Sequence, residues 1–356
     1  MGRETSSTSE PSAAPARGGG AGPKRLANAG LPVSAGAERD QLRLVTRVAW
    51  LYHERGLKQS EVAESLGLSQ SSVSRLLEAA VSLGIVRTTV RVPSGLQLEL
   101  EQALEETYGL REARVFEVPD PDDERRLLGD LGRMLAGYLQ ESPLEGDVIG
   151  LTSWSRTLRS TVHSLGPPAG AAARYVVEML GDVGTPELQH EAAEVTQRLA
   201  RVTGAQPRFL RVPGVVSSPG VRRIILENDS HAQETLRLFD HIDEALVGIG
   251  TCAIDPPLRP GDNFFTDAQF AHARELGAVG QVNLRFIDVD GNAISSELDD
   301  LVTGVNLDQL RACERTIAVG GGRTKHSAIR SALIGGWVNT LVTDVATAER
   351  LVLGAS

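Results

Sequence analysis

The sequence predicts an α/β protein in two parts, an N-terminal winged helix-turn-helix followed by a Rossmann-like, doubly wound sheet. Three observations predict it. Residues 58–86 read as two short amphipathic helices joined through a glycine and a serine cap, with an alternating run after them. Beyond Pro93, short apolar runs alternate with amphipathic helical stretches, the mark of a mostly parallel sheet covered on both faces. Two of those apolar runs feed straight through small residues into a helix start. A length of 356 residues with 41% hydrophobic content accommodates one small and one large domain, each with its own core.

Along the chain, residues 1–38 are rich in Gly, Ser, Ala and Pro and show no hydrophobic period, so they are expected to form a disordered tail. Residues 39–92 form the expected winged helix-turn-helix. In "QLRLVTRVAWLYHERG" the positions Leu44, Val48, Leu51 and Tyr52 lie on one helical face, and Gly56 ends the run. "KQSEVAESLG" places Val62, Ala63 and Leu66 on one face of a second helix, and Gly67 supplies the turn. Ser69 then caps a third helix whose Val73, Leu76, Leu77 and Ala80 point inward. "GIVRTTVRV" alternates Arg87, Thr89 and Arg91 against Val86, Thr88, Val90 and Val92, as expected of a wing with a basic outer face.

The outer face of the third helix carries the chemistry. Gln70, Ser71, Ser72, Ser74 and Arg75 are short hydroxyls, an amide and one cation, which let a backbone sit deep in a DNA major groove and still offer donors and acceptors to base edges. With Lys58, Gln59, Ser69, Arg87 and Arg91 they make up the candidate DNA-binding residues, and double-stranded operator DNA the expected partner. The alternative is a three-helix dimerisation bundle with a solvated polar face, which would carry more Glu and Lys in helical pairs. The whole chain has a formal net charge of −10, yet residues 42–92 hold seven Lys and Arg against four Glu. Attraction to DNA would therefore come from a local basic patch, repeated on each subunit of an oligomer.

Residues 93–356 form the expected ligand and oligomerisation domain. "ARVFEV", "DVIGL", "RYVVEML", "PRFLRV", "EALVGIG", "AVGQVNLRF", "RTIAVGG" and "VNTLVTD" each read as one short strand, with helices such as "DERRLLGDLGRMLAGYLQE" and "QHEAAEVTQRLARVTG" between them. Ligands of such sheets sit at the carboxyl ends of the strands. The loops "VIGLTSWSRTL" and "IAVGGGRTKHSAI" run from strand into helix there, and their glycines, hydroxyls and Lys325 are suited to cradle an anion or a polyol. Neither is a Walker A loop or a dinucleotide fingerprint, so no nucleotide cofactor is expected. For each loop the alternative is tight packing alone.

Cys252 and Cys313 are far apart and have no CxxC partner, and His190, His231 and His241 lack ligand spacing, so neither a disulfide framework nor a metal site is expected. No run of about 18 apolar residues and no secretory apolar segment is present, and a reducing cytoplasm fits best.

The motifs "KQSEVAESLGLSQSSVSRLLEAAVSLGIV", "GLTSWSRTL", "ALVGIGT", "GAVGQVNLRFIDVDG" and "TIAVGGGRTKHSAIRSALIGGWVNTLVTDVATAERLVL" occur in order, and the chain from residue 41 onward resembles the SorC family of bacterial transcriptional regulators. The resemblance implies an effector domain related to sugar-phosphate isomerases and deaminases. It also implies assembly as dimers or tetramers, and control of operator binding by a sugar, polyol or phosphosugar, typically for a carbohydrate catabolic operon. Carried over by position, the effector site comprises Gly150, Thr152, Ser153, Gly181, Asp182, Gln189, His190, Gly250, Thr251, Gln281 and Lys325. Gln281 departs from the acidic residue common in the family at that place, and an amide donates as well as accepts. A carboxylate at Asp182 disfavours a neighbouring phosphate, which leaves an unphosphorylated polyol or sugar open beside a phosphosugar. The competing function class is an isomerase- or deaminase-like enzyme using a carboxylate base and a lysine. Gln281 stands where that acid would be, and the attached DNA-reading segment points away from catalysis.

Overall fold

The structure is a computed structural model and describes residues 35–87, 95–166, 173–256, 258–259 and 263–354. The chain falls into two compact units, divided between residues 91 and 92.

The first unit is built from α1 (Ala35–His53), α2 (Gln59–Leu66) and α3 (Gln70–Ser82). Its core is Val48, Val62, Ala63, Val73 and Leu77, the apolar stripes of all three helices. A second cluster of Val45, Ala49 and Ala80 extends the contact between α1 and α3, a face the helical spacing of Leu44, Val48 and Leu51 did not disclose. The α2–α3 turn needs Gly67, whose φ of 64° lies in the left-handed region. α1 starts at Ala35, inside the stretch expected as tail, where "AGAERD" is made largely of helix formers. The expected wing lies outside the described residues from position 88 onward, Arg91 included, as does the tail up to residue 34.

The second unit runs α4 (Leu98–Tyr108), β1 (Glu112–Phe116), α5 (Glu124–Glu141), β2 (Val148–Leu151), α6 (Arg156–Ser164), β3 (Tyr175–Glu178), α7 (Pro186–Thr203) and β4 (Gln206–Arg208). It continues through α8 (Pro219–Asn228), α9 (Ser230–Arg237), β5 (Glu244–Gly250), α10 (Asp267–Glu275), β6 (Ala278–Val282) and β7 (Arg285–Asp288). It closes with α11 (Leu307–Ala312), β8 (Arg315–Val319), α12 (His326–Ile334), β9 (Thr340–Asp344) and α13 (Val345–Leu353). Seven strands pair in parallel in the order β1-β9-β8-β5-β2-β3-β4.

Strand side chains alternate between two cores. Ala245, Val247 and Ile249 join the layer that also holds Leu104, Ile329 and Leu351 from α4, α12 and α13. Leu246, between them, joins the opposite layer with Leu131, Leu158 and Leu199 from α5, α6 and α7. The edge strand β1 is sealed by α4: Glu105 and Glu101 accept from the Ala113 and Val115 N–H groups at 2.9 and 3.0 Å, so the open edge offers those donors to no other chain.

One expected strand is two. "AVGQVNLRF" breaks at Asn283 and Leu284, with φ of 52° and 62°, into the antiparallel β6–β7 hairpin, and β6 also pairs antiparallel with the end of β5. Left-handed backbone at both turn positions is the geometry of a tight hairpin, usually signalled by a glycine that is missing here. Side chains hold it instead. The Asn283 amide donates to the Met179 carbonyl at 2.7 Å, and the Leu284 N–H donates to Gln281 Oε1 at 2.7 Å. No helix of the described residues is long and apolar enough to cross a membrane.

Candidate functional site

From β2 the chain steps outward through β3 and β4, and from β5 it steps the other way through β8 and β9, so the sheet reverses direction between β2 and β5. At the carboxyl ends of β2, β5 and β8, at that reversal, lies a cavity of about 300 Å³. This is where an open α/β sheet leaves a crevice, because adjacent connections leave for opposite faces.

Of the sequence-predicted effector residues, Thr152, Ser153, Gly250, Thr251, Gln281 and Lys325 line this cavity. Thr152 and Ser153 are buried in the β2–α6 loop, and the Thr152 hydroxyl donates to Asn283 Oδ1 at 3.3 Å. Gln281 is buried opposite Gly250 in the β5–β6 register. A Cβ at Gly250 would lie 2.0 Å from Gln281 Nε2, so only glycine leaves room for the amide. Lys325 precedes the first turn of α12 and is half-buried. Among the described residues its ammonium has no hydrogen-bond or ion-pair partner within 4.0 Å. Burial pushes its pKa below the usual lysine range, with Arg156 acting the same way; Asp255 and Glu124 oppose the shift.

The structure does not bring Gly150, Gly181, Asp182, Gln189 or His190 to the cavity wall, and each has another occupation. A Cβ on Gly150 would meet Met179 Sδ at 2.5 Å, so that glycine serves strand packing. Gly181 lets two backbones approach, since a Cβ there would lie 2.4 Å from the Val212 carbonyl. Asp182 is bound by Arg211 at 2.5 Å, and burial holds its pKa above the ordinary carboxylate range despite that cation. The Gln189 amide donates to the Gly184 carbonyl, and exposed His190 lies 3.4 Å from Glu194.

The loops also bring in groups that sequence reasoning did not single out. Arg156 pairs with Asp255 at 2.7 Å, Arg159 pairs with Glu191, and the Thr324 hydroxyl donates to Glu124. On the other side stands an apolar wall of Trp154, Val183, Ile254, Leu258 and Phe264, all of one cluster, with the Trp154 and Phe264 rings edge to face at 6.0 Å. Burial pushes the adjacent Cys252 thiol up to about 11, which leaves it inert as a nucleophile.

In the first unit Ser71 and Arg75 are exposed on α3, with Ser74 half-buried between them. Among the described residues Arg75 donates only to the Ser71 carbonyl of its own helix, at 3.3 Å. Ser69 is the helix cap: its hydroxyl accepts from the Ser72 N–H and pairs with the Ser71 and Ser72 hydroxyls at 3.0 and 2.8 Å. Lys58, Gln59 and Gln70 meet at a shallow groove with Tyr52 and His53. Arg87 is exposed just beyond the helices.

A helix-turn-helix in one chain with an α/β domain that holds a small-molecule cavity at its sheet reversal defines a ligand-responsive DNA-binding regulator. Residues 93–353 match the family described as "Putative sugar-binding domain", and residues 52–89 match the IclR helix-turn-helix domain. The chain belongs to the SorC family of transcriptional regulators. It is 34% identical over 315 residues to the deoxyribonucleoside regulator of Bacillus subtilis (strain 168), covering 88% of this chain and 99% of the relative. It is 30% identical over 320 residues to the sorbitol operon regulator of Klebsiella pneumoniae, covering 88% and 98%. The crystal structure of full-length SorC from Klebsiella pneumoniae superimposes with a TM-score of 0.64 at 28% identity, covering 87% of this chain and 98% of that one.

Proposed function

We propose that this regulator reads an operator through α3 and alters its hold on that DNA when a sugar, polyol or phosphosugar enters the cavity at the carboxyl ends of β2, β5 and β8, acting as a homo-oligomer in the cytoplasm. The observation that carries the reading is a small cavity at the sheet reversal lined by Lys325, which has no ion-pair partner among the described residues, in a chain that also holds a helix-turn-helix. The relatives' names, a sorbitol operon regulator and a deoxyribonucleoside regulator, support a carbohydrate-derived effector. Kinship of the domain with sugar-phosphate isomerases and deaminases belongs to the same reading, with binding retained and turnover absent. At the cavity Asp255 and Glu191 pair with Arg156 and Arg159, and Glu124 accepts from the Thr324 hydroxyl. A panel of sugars, polyols and their monophosphates, read first as a rise in melting temperature and then as a change in operator affinity, tests it. An effector is expected to change operator affinity by about 1–3 kcal/mol. Chemical conversion of any ligand that binds would reinstate the enzyme class.

The DNA-binding assignments rest on the same proposal. Arg75→Ala is expected to weaken operator binding by about 1–3 kcal/mol and to relax base preference at one position. Lys58→Ala is expected to weaken all sequences alike and to flatten the salt dependence. Binding curves on operator and random DNA at several salt concentrations separate the two, and an equal loss on both DNAs for Arg75→Ala removes its base-reading role. Paired half-sites about one helical turn apart, or a multiple, are expected. Sedimentation that shows a monomer at concentrations where the operator is bound would contradict the oligomer.

A further inference from the structure

Once the hydrogen bonds and ion pairs inside the cavity are counted, the groups of fixed polarity left without a partner among the described residues are donors. Arg156 is matched by Asp255, Arg159 by Glu191, and Glu124 receives the Thr324 hydroxyl. The hydroxyls of Ser153 and Thr251 serve a donor or an acceptor equally. Among the described residues the uncommitted groups of fixed polarity are the Lys325 ammonium, the Gln281 NH₂ and the buried Trp154 indole N–H, all of them donors.

The orientation of that amide is fixed by the hairpin. The Leu284 N–H is buried in a left-handed turn and finds its acceptor in the Gln281 side chain at 2.7 Å. A backbone N–H bonds only an acceptor, so that atom is Oε1 and the NH₂ group is the one packed over Gly250. Lys325 enters from adjoining backbone, because β6 lies on the first turn of α12: a Cβ on Gly280 would sit 2.6 Å from Ala328 Cβ. The residues that close the cavity at this end thus present donors.

We propose that Gln281 selects the effector, and that it selects one presenting an anionic oxygen, a carboxylate or a phosphate, to the Gln281 NH₂ and the Lys325 ammonium. The proposal rests on the cavity being the effector site. Asp182, the carboxylate that argued against an anion in the sequence, is held by Arg211 and is not part of the cavity wall. A glutamate at 281 would keep the Leu284 bond with one oxygen and turn the other, an acceptor, toward the ligand. Gln281→Glu therefore changes polarity while preserving the turn.

The experiment uses the full chain, with tetritols, pentitols and hexitols, the corresponding aldonates and their terminal monophosphates as probes. Affinity is measured by calorimetry and by melting temperature. The wild type is expected to bind an aldonate or a monophosphate at least about tenfold tighter than the matching neutral polyol. Q281E, melting as the wild type does, is expected to lose that preference and to favour the neutral polyol. G250A, whose methyl displaces the amide, is expected to lose the anion without gaining the polyol. The aldonate and monophosphate arms decide which anion the site takes. Neutral polyols bound as tightly as their anions by the wild type, or an unchanged ranking in Q281E, overturn the assignment of Gln281 and leave the cavity as the effector site. Failure of every probe defeats both.

Discussion

Lys325→Ala is expected to abolish the response at effector concentrations that suffice for the wild type, while leaving operator affinity in the absence of effector unchanged. Among the described residues the ammonium has no protein partner, and a charge-assisted hydrogen bond to a ligand in a half-buried site is worth about 1.5–3 kcal/mol. Effector affinity should therefore fall roughly 10–150-fold, converting that energy at about 1.4 kcal/mol per tenfold. The effector-free protein should be no less stable, and more stable at neutral pH. Burial depresses the lysine pKa in the fold, so the charged form costs folding free energy at every pH below that depressed value, and alanine removes the cost. The same shift fixes a pH dependence on the alkaline side. Binding of an anionic effector needs the ammonium, so affinity is full where the effector is ionised and the lysine charged, and is lost as pH rises through a pKa below the usual lysine range. Operator titrations with and without effector, in wild type and mutant, across that range, read all three. A mutant that responds at the wild-type effector concentration makes the lysine a bystander.

The parts of the molecule legible in the sequence are those governed by local rules. The third helix announces itself because Gly67, Ser69 and the spacing of Val73, Leu77 and Ala80 are near-neighbour signals. The place of Lys325 and the Thr152–Ser153 loop on the cavity wall is legible because a strand that passes through small residues into a helix has few geometries available. What escaped depends on residues distant in sequence. Asp182 is a reasonable ligand-binding carboxylate by position, and only the fold shows Arg211 bound to it. Gly150 and Gly181 look like loop glycines that admit a ligand, but Met179 and the 212–214 backbone take up the space that the missing side chains leave. The β6–β7 turn was missed because Asn283-Leu284 carries no glycine, and its left-handed backbone is held by the Met179 carbonyl and the Gln281 side chain. Arg156 and Asp255, 99 positions apart, were invisible as a pair for the same reason.

The largest loss of stability is expected at the opposite end of the sheet from the cavity. Glu244 opens β5 beside Arg315, which opens β8, and both side chains are buried, 7% and 6% exposed respectively. They stand 3.2 Å apart, within ion-pair reach though not aligned for a hydrogen bond. Arg315 also donates to the Ser142 hydroxyl at 3.0 Å, and Glu244 accepts from the Glu145 N–H at 3.0 Å, so the pair ties the α5–β2 connection to the amino ends of two central strands. Burial nevertheless outweighs the attraction of Arg315 and pushes the Glu244 pKa above the usual carboxylate range. The pair is thus not a net source of stability relative to an apolar core; its strength lies in the cost of stranding one partner. Glu244→Ala leaves a buried guanidinium without its carboxylate and is expected to cost about 3–5 kcal/mol, whereas Glu244→Leu combined with Arg315→Leu should fall close to wild type. Urea unfolding followed on the second unit measures both, and a double-mutant cycle isolates the coupling. A single mutant as stable as the wild type would mean that Ser142 and the neighbouring carbonyls alone satisfy Arg315. The folded fraction of either variant should bind effector normally, since β5 carries its ligand-facing Gly250 at the far end of the strand.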